Sequence, residues 1–315
     1  MILRDVIERY GTGLAGVVLF AVFAATAPRF LDPTNLLNVL KHASVLALFA
    51  IGVTLALVTA ELDLSFANVA SLAAVVTGYL VHGGGNVALA VAAGLGVGLA
   101  AGLFNGLLVT GLKIPSLIAT LGTAAIANGF AFWATQGVAF VGRWPAEFTG
   151  LARGTVLGIP APVMWAGAAA LIAVLMLKQT RLGLHMTATG DADEASRLAG
   201  IATARMKLIG MTLSGAFAGL GAVLLAANLS SAAPNMAGDY LLQAIAAVLL
   251  GMTMFEPGHA NVPGALTGAL ILALLNNGLV LIGAPYFMQD ILLGCTIVAS
   301  VALSASTLKR AAFAV

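Results

Sequence analysis

The chain has 315 residues, of which 61% are hydrophobic and 8% charged, with a formal net charge of +2. A mean hydropathy of +1.05 excludes an ordinary soluble domain, because too few polar side chains remain to cover so much apolar surface. The composition therefore predicts a protein solvated by lipid, and the small net charge offers no footprint for nucleic acid.

In chain order, "MILRDVIERY" carries the i,i+4 pairs Arg4 with Glu8 and Asp5 with Arg9, as a short surface helix does. It forms a cytoplasmic N-terminal segment over residues 1–11, and the apolar run after it lacks the layout of a cleaved signal peptide, so we read that run as a retained span. Apolar runs then recur between turn signals and reach the roughly 20 residues that cross a hydrocarbon layer about 30 Å thick. Their pattern favours helices over an alternating barrel. About ten spans are predicted, over residues 12–28, 36–60, 66–81, 87–112, 115–135, 161–178, 207–228, 240–255, 264–282 and 287–307.

The basic residues orient this stack. Lys178, Arg181, Arg197, Arg205 and Lys207 crowd the connection 178–207, whereas 136–160 holds only Arg143 and Arg153. Excess Lys and Arg marks the cytoplasmic side, which with ten spans puts both termini inside, in agreement with Lys309 and Arg310. The fold class expected is an all-α polytopic membrane protein, a single transmembrane domain over residues 1–315 with a cytoplasmic loop over 179–206.

Glycine and asparagine supply finer detail. Gly94, Gly98, Gly102 and Gly106 recur every four residues and form a smooth stripe for close approach of another helix. "NGLLVTG" (Asn105 to Gly111) before Pro115 is echoed by "NGLVLIG" (Asn277 to Gly283) before Pro285, with Gly96 and Gly268 in register. The two copies run in opposite directions through the bilayer, which makes the repeat inverted, a construction typical of transporters. Cys295 lies alone in an apolar run, so no intrachain disulfide forms and a buried, inert thiol is expected.

Catalytic motifs are missing. His42, His82, His185 and His259 lie on separate segments, and no metal set or nucleophile with its base stands out. "GLLVTGLK" (Gly106 to Lys113) lacks the Lys-Ser/Thr that a phosphate loop needs, so the chain itself binds no ATP. Glu61 and Asp63 in "AELDLSFA" cost about 2.5–3.5 kcal/mol each at the centre of a membrane helix, so this stretch marks a break in the helix, with Asp63 or Ser65 capping the next one. Neutral amides at membrane depth (Asn105, Asn128, Asn228, Gln243, Asn276 and Asn277) offer donors and acceptors for a neutral solute or bridge helices to one another.

The densest charge falls in "TGDADEASRLAGIATARMK", Thr189 to Lys207. Asp191 followed by Glu194 fits an N-terminal capping pattern, Asp193 and Glu194 suit a first turn, and Gly200 ends the helix, about two turns in all. Ala195, Leu198 and Ala202 share one face, and Asp193, Glu194 and Arg197 form a charged rim.

"ELDLS", "GLFNGLLV", "LKIPSLIATLGT", "EASRLAGI", "AIAAVLLG" and "GALILALLNNGL", in this order along the chain, resemble the permease subunits of ribose-type ABC sugar importers from about residue 30 to 305. The resemblance implies about ten transmembrane helices, and a cytoplasmic coupling helix on Asp193, Glu194, Ala195, Ser196, Arg197, Leu198 and Gly200 that enters a groove of a partner ATPase. It also implies a second permease copy or paralogue, a periplasmic solute-binding protein, ATP and Mg held by the ATPase alone, no cofactor on this chain, and a bacterial inner membrane. Glu61, Asp63, Asn105, Asn128, Asn276 and Asn277 are the expected path residues. Two departures leave the solute open among ribose, a polyol, a modified sugar and a furanose-like signalling molecule. Ala60, Glu61 and Leu62 stand where the family has Gly-Gly-Ile, and "GMTMFEPGHANVPGA" (Gly251 to Ala265) replaces a Gly-rich stretch. An ion-coupled carrier using Glu61 and Asp63 is the alternative from the residues alone, and a membrane-embedded enzyme is a weaker one.

Overall fold

The computed structural model describes the backbone of residues 2–313 and the side chains of residues 12–300. The charge pairs expected at Arg4, Asp5, Glu8 and Arg9, and Lys309 and Arg310, lie outside the described side chains. In chain order the helices are α1 (Ile2–Thr26), α2 (Pro33–Leu57), α3 (Phe66–His82), α4 (Val87–Thr110), α5 (Ser116–Thr135), α6 (Ala146–Arg153), α7 (Ala161–Gln179), α8 (Arg181–Asp191), α9 (Asp193–Leu198), α10 (Thr203–Leu229), α11 (Tyr240–Gly251), α12 (Val262–Leu281) and α13 (Tyr286–Phe313). Among the described residues, α2, α4, α5, α7, α10 and α12 are long and apolar enough to cross a membrane, and α1, α3, α11 and α13 contribute shorter apolar stretches.

Local chemistry sets where these helices begin. Asp32 accepts from the Thr34 N–H with Pro33 in the first turn of α2, and Asn86 and Asn261 cap α4 and α12 through the N–H groups of Leu89 and Gly264. A side-chain oxygen at each start satisfies one backbone donor that the helix leaves orphaned.

α2 is the central helix. Residues 43–56 are all buried, and Leu46, Leu48, Phe49, Ile51 and Leu55 are among the largest fully buried side chains. A helix apolar on every side belongs inside the bundle rather than at its surface. It packs on α10, α12, α11 and α7.

The expected glycine stripe meets its partner on α10. A Cβ at Gly98 would strike the Gly215 carbonyl and the Gly219 backbone, and one at Gly102 would strike the Met211 carbonyl. The two backbones touch without intervening side chains, the close approach that small residues permit in lipid. Elsewhere the packing is paired. α3 lies on α4 and α5 as α11 lies on α12 and α13, and α4 packs on α10 as α12 packs on α2.

The connections sort into two ends. At one end the segment 58–65 meets α8, where Gly190 abuts the Val58 carbonyl, and meets α5 through the Leu62 N–H to Ser116 Oγ. The 252–261 loop joins this end through Lys178 with Glu256 and His259 with Asp191, and Thr12 of α1 reaches it through Thr253. At the other end β1 (Phe140–Val141) pairs antiparallel with β4 (Ser231–Ala232), beside a small hairpin of β2 (Thr155–Val156) and β3 (Ile159–Pro160). Arg153 closes this end by donating to the Asn228 carbonyl at 2.6 and 2.8 Å.

Several expectations need correction. The 179–206 loop contains an eleven-residue helix, α8, that its mixed polarity concealed. α11 ends at Gly251, four residues before the expected 255, because Gly251 packs backbone to backbone on Gly264. Cys295 is exposed rather than buried, since this part of α13 turns its thiol outward from the bundle.

Replacing Gly98 by Leu should force α4 and α10 apart, at about 1–3 kcal/mol or more of overpacking strain. Gly96, whose Cβ position faces open space, should accept Ala without loss. The midpoint of thermal unfolding in mild detergent checks both: it should fall clearly for Gly98→Leu and stay unchanged for Gly96→Ala.

Candidate functional site

The charged patch folds as a helix-turn-helix. Thr180 caps α8 by accepting from the Gly183 N–H, and Gly183 lies directly on the Leu177 backbone, so the chain doubles back as it leaves α7. Ala192, with φ −156° and ψ 84°, makes the turn into α9. This corrects the expected capping pattern. Asp191 is the last residue of α8, Ala192 occupies the cap position with no side-chain bond, and Glu194 pairs with Arg197 at 3.2 Å instead.

Ser196 is the buried residue of α9, and its hydroxyl donates to the Ala188 carbonyl at 2.7 Å, which fastens α9 to α8. Gly200 adopts φ +87°, a left-handed conformation suited to glycine, and the chain closes with the Ile201 N–H on the Ser196 carbonyl. Asp193, Glu194, Ala195, Arg197, Leu198 and Gly200 all face outward, and Leu198 is 82% exposed. Leu184 of α8 is exposed as well, and so is Ala202, which lies past the end of α9 and the left-handed Gly200 and so does not share the helix face expected of it with Ala195 and Leu198. The apolar face expected on α9 thus points away from the body. A hydrogen bond from the Thr203 side chain, followed by the charges of Lys207 and Arg197, holds the Asp193 carboxyl below its ordinary value.

Beneath α9 lies the break between α2 and α3. Ala60 takes the left-handed φ of +59°, an uncommon conformation for a residue with a Cβ. Glu61 turns to Lys207 of α10, Oε1 to Nζ 3.0 Å, and the same Nζ lies 3.5 Å from Asp193 Oδ2. Asp63 is buried and fully engaged. Its Oδ1 accepts from the Ser65 N–H at 2.8 Å and the Ser65 hydroxyl at 2.6 Å, and its Oδ2 accepts from the Ser214 hydroxyl at 2.7 Å. Ser65 in turn accepts from the Asn105 amide at 2.8 Å, so one polar chain ties the break to α4 and α10. Of the two expected caps, Ser65 occupies the cap position of α3 without a side-chain bond to the helix backbone, and Asp63 instead accepts from the N–H and hydroxyl of Ser65.

The structure does not gather the six expected path residues. Glu61, Asp63 and Asn105 meet around the break, whereas Asn277 exchanges two amide hydrogen bonds with Asn35 at the other end of the bundle, at 2.9 and 3.0 Å. Asn128 is half-buried on α5, which packs on α3 and α4, and Asn276 is half-buried on α12, which packs on α2 and α11. Sequence reading missed Lys207, Ser214 and Asn261 as structural partners. A basic residue four positions into a membrane helix and a lone serine in an apolar helix were the available signals. Asn261 caps α12 and donates to the carbonyls of Met254 and His259, shaping the loop that departs from the family pattern. A cavity of about 510 Å³ lies under that loop, lined by Val58, Leu177, Thr187 and Pro263 and flanked by the Lys178–Glu256 and Asp191–His259 pairs. Among the described residues, no group of three or more His, Cys, Asp or Glu side chains is placed to hold a metal ion.

Asp63→Ala should leave three donors unsatisfied in a buried place, each at about 1–3 kcal/mol. Asp63→Asn keeps an acceptor for Ser65 and should lose less. The half-life of folded protein at raised temperature in detergent should rank wild type above Asp63→Asn above Asp63→Ala.

Comparison with known proteins agrees with this architecture. Residues 35–301 match the family described as "Branched-chain amino acid transport system / permease component". The chain is 36% identical to the ribose import permease protein RbsC of Escherichia coli K12 over 291 residues, 91% of each chain. It is 33% identical to the Bacillus subtilis protein of the same name over 299 residues, 95% of this chain and 93% of that one. It is also 33% identical to the autoinducer 2 import system permease protein LsrC of Salmonella typhi, over 91% of this chain and 83% of that one. No solved structure matches significantly. The chain therefore belongs to this family of multi-pass permeases, as a ribose-type ABC permease.

Proposed function

We propose that the chain is the membrane-spanning subunit of an ATP-driven importer that carries a monosaccharide or similar small polyhydroxylated solute into the cytoplasm. ATP is hydrolysed on a separate ATPase that docks on α9. The observation that carries this reading is Leu198, an apolar side chain 82% exposed on a helix that the Ser196–Ala188 hydrogen bond fastens to α8. An apolar anchor ringed by charge, as Leu198 is by Asp193, Glu194 and Arg197, has the makeup of an interface centre with its polar rim.

Orientation follows from charge. Among the described residues, Lys113, Lys178, Arg181, Arg197, Arg205 and Lys207 lie at the end that carries α9, against Arg29, Lys41, Arg143 and Arg153 at or toward the other. The positive-inside rule makes the α9 end cytoplasmic. With ten spans both termini are cytoplasmic too, in a bacterial inner membrane. The paired packing of α3, α4 and α5 with α11, α12 and α13 supports an inverted repeat about α2 and α10. A second permease copy or paralogue and a periplasmic solute-binding protein complete the assembly.

The solute class rests on relatives named for ribose and for autoinducer 2 import, and on amides such as Asn128, Asn276 and Gln243, which offer hydrogen bonds without fixed charge. An ion-coupled carrier is the poorer reading, because Glu61 is paired with Lys207 and Asp63 already accepts three hydrogen bonds.

Leu198→Asp should reduce recovery of the ATPase with the tagged permease at least about tenfold, the loss expected of an interface hot spot. Uptake should be lost while the chain still inserts. Wild-type recovery and uptake in this variant would overturn the docking assignment.

A further inference from the structure

We propose that Lys207 is the positioning residue through which α9 moves the α2–α3 break, so that an outward pull on α9 by the ATPase reaches the core at 58–65 rather than running along α7 or α10 alone. This rests on the reading of α9 as the docking helix.

The geometry is that of a two-armed tie. One ammonium stands between carboxylates from two different elements, Glu61 of the break at 3.0 Å and Asp193 at the start of α9 at 3.5 Å. The arm to the break is largely shielded, Lys207 and Glu61 being 22% and 9% exposed, whereas the arm to α9 ends on a half-exposed Asp193, 53% exposed, and the Glu194–Arg197 pair on α9 itself faces solvent. Water screens a shielded pair less, so it transmits displacement better than a surface pair does. Without the ammonium the tie becomes two carboxylates facing each other across the joint, which favours separation.

What the tie pulls on is itself well connected. Leu62, next to Glu61, donates its N–H to Ser116 at the start of α5 and lies beside Thr120. Asp63 holds Ser214 of α10, and Ser65, at the start of α3, holds Asn105 of α4. The break thus touches α3, α4, α5 and α10 at once. It is also a segment of non-helical backbone with a left-handed Ala60, a local arrangement able to change conformation without unwinding a span. The neighbouring contact from α8, Gly190 on the Val58 carbonyl, resists compression but cannot pull. Lys207 supplies the pulling arm.

The test is hydrogen–deuterium exchange of the complete complex, permease with its co-purified ATPase in lipid nanodiscs, with and without ATP and vanadate. In wild type, trapping should alter exchange both in 193–200 and in 58–65. In Lys207→Met the response of 193–200 should persist and that of 58–65 should vanish, whereas Lys207→Arg should keep both. Glu61→Gln removes the same arm from the other side, leaves Lys207 with Asp193, and should reproduce the Lys207→Met result if that variant folds poorly. A 58–65 response that survives in both Lys207→Met and Glu61→Gln, or that is missing in wild type while 193–200 responds, overturns the proposal. If 193–200 fails to respond in wild type, the docking reading itself falls, and this proposal with it.

Discussion

Every backbone polar group buried away from water must find a partner in the protein, and the α2–α3 break, packed beside the most buried helix of the bundle, is where this chain meets that constraint. Eight residues, 58–65, run without regular structure beside the most buried helix of the bundle. They are held because Asp63 accepts for the start of α3, because Ser116 and Thr120 of α5 take up the Leu62 backbone, and because Lys207 neutralises Glu61. Irregular backbone at such a place persists only when the surroundings satisfy it in full. The carboxylates that look extravagant in so apolar a chain are therefore what allow α2 to stop where it does.

From that joint the rest of the end that carries α9 follows. α8 meets the chain just past the end of α2 because Gly190 leaves room for the Val58 carbonyl, and α9 is fastened to α8 through Ser196. The outer face of α9 is then free to display Leu198 within a charged rim. The deeper bundle rests on a different device, the bare glycine contact between α4 and α10, which aligns two long helices with almost no side chain between them. One contact fixes the helices to each other and the other joins them to the surface where a soluble partner would work.

Much of this was legible in the sequence because lipid imposes simple rules. Apolar run length gave the helices, the four-residue glycine spacing gave the α4 face, and "ELDLS" marked the break. α8 escaped because its eleven residues mix Arg181, His185, Thr187 and Thr189 with a few apolar ones and make no membrane-length run. The capping pattern at Asp191 and Glu194 misled because the same residue types also suit a helix end followed at once by another helix. The path residues were the least legible. An asparagine in an apolar helix reads the same whether it faces a solute, as Asn128 or Asn276 could, or ties two helices, as Asn277 does to Asn35. Only the fold distinguishes these roles, and it also brings Lys207, remote in sequence from Glu61, into contact with it.

The central claim is that α9 carries the contact with a separate motor. The most direct measurement is a photo-crosslinking amino acid placed at Leu198, irradiated in native membranes, with mass spectrometry of the adduct. The account predicts a crosslink to an ATP-binding protein, with no such adduct from Leu171 on α7, which is also exposed, at 60%. Adducts at Leu198 that contain lipid alone, under conditions where the complex is intact, would contradict it.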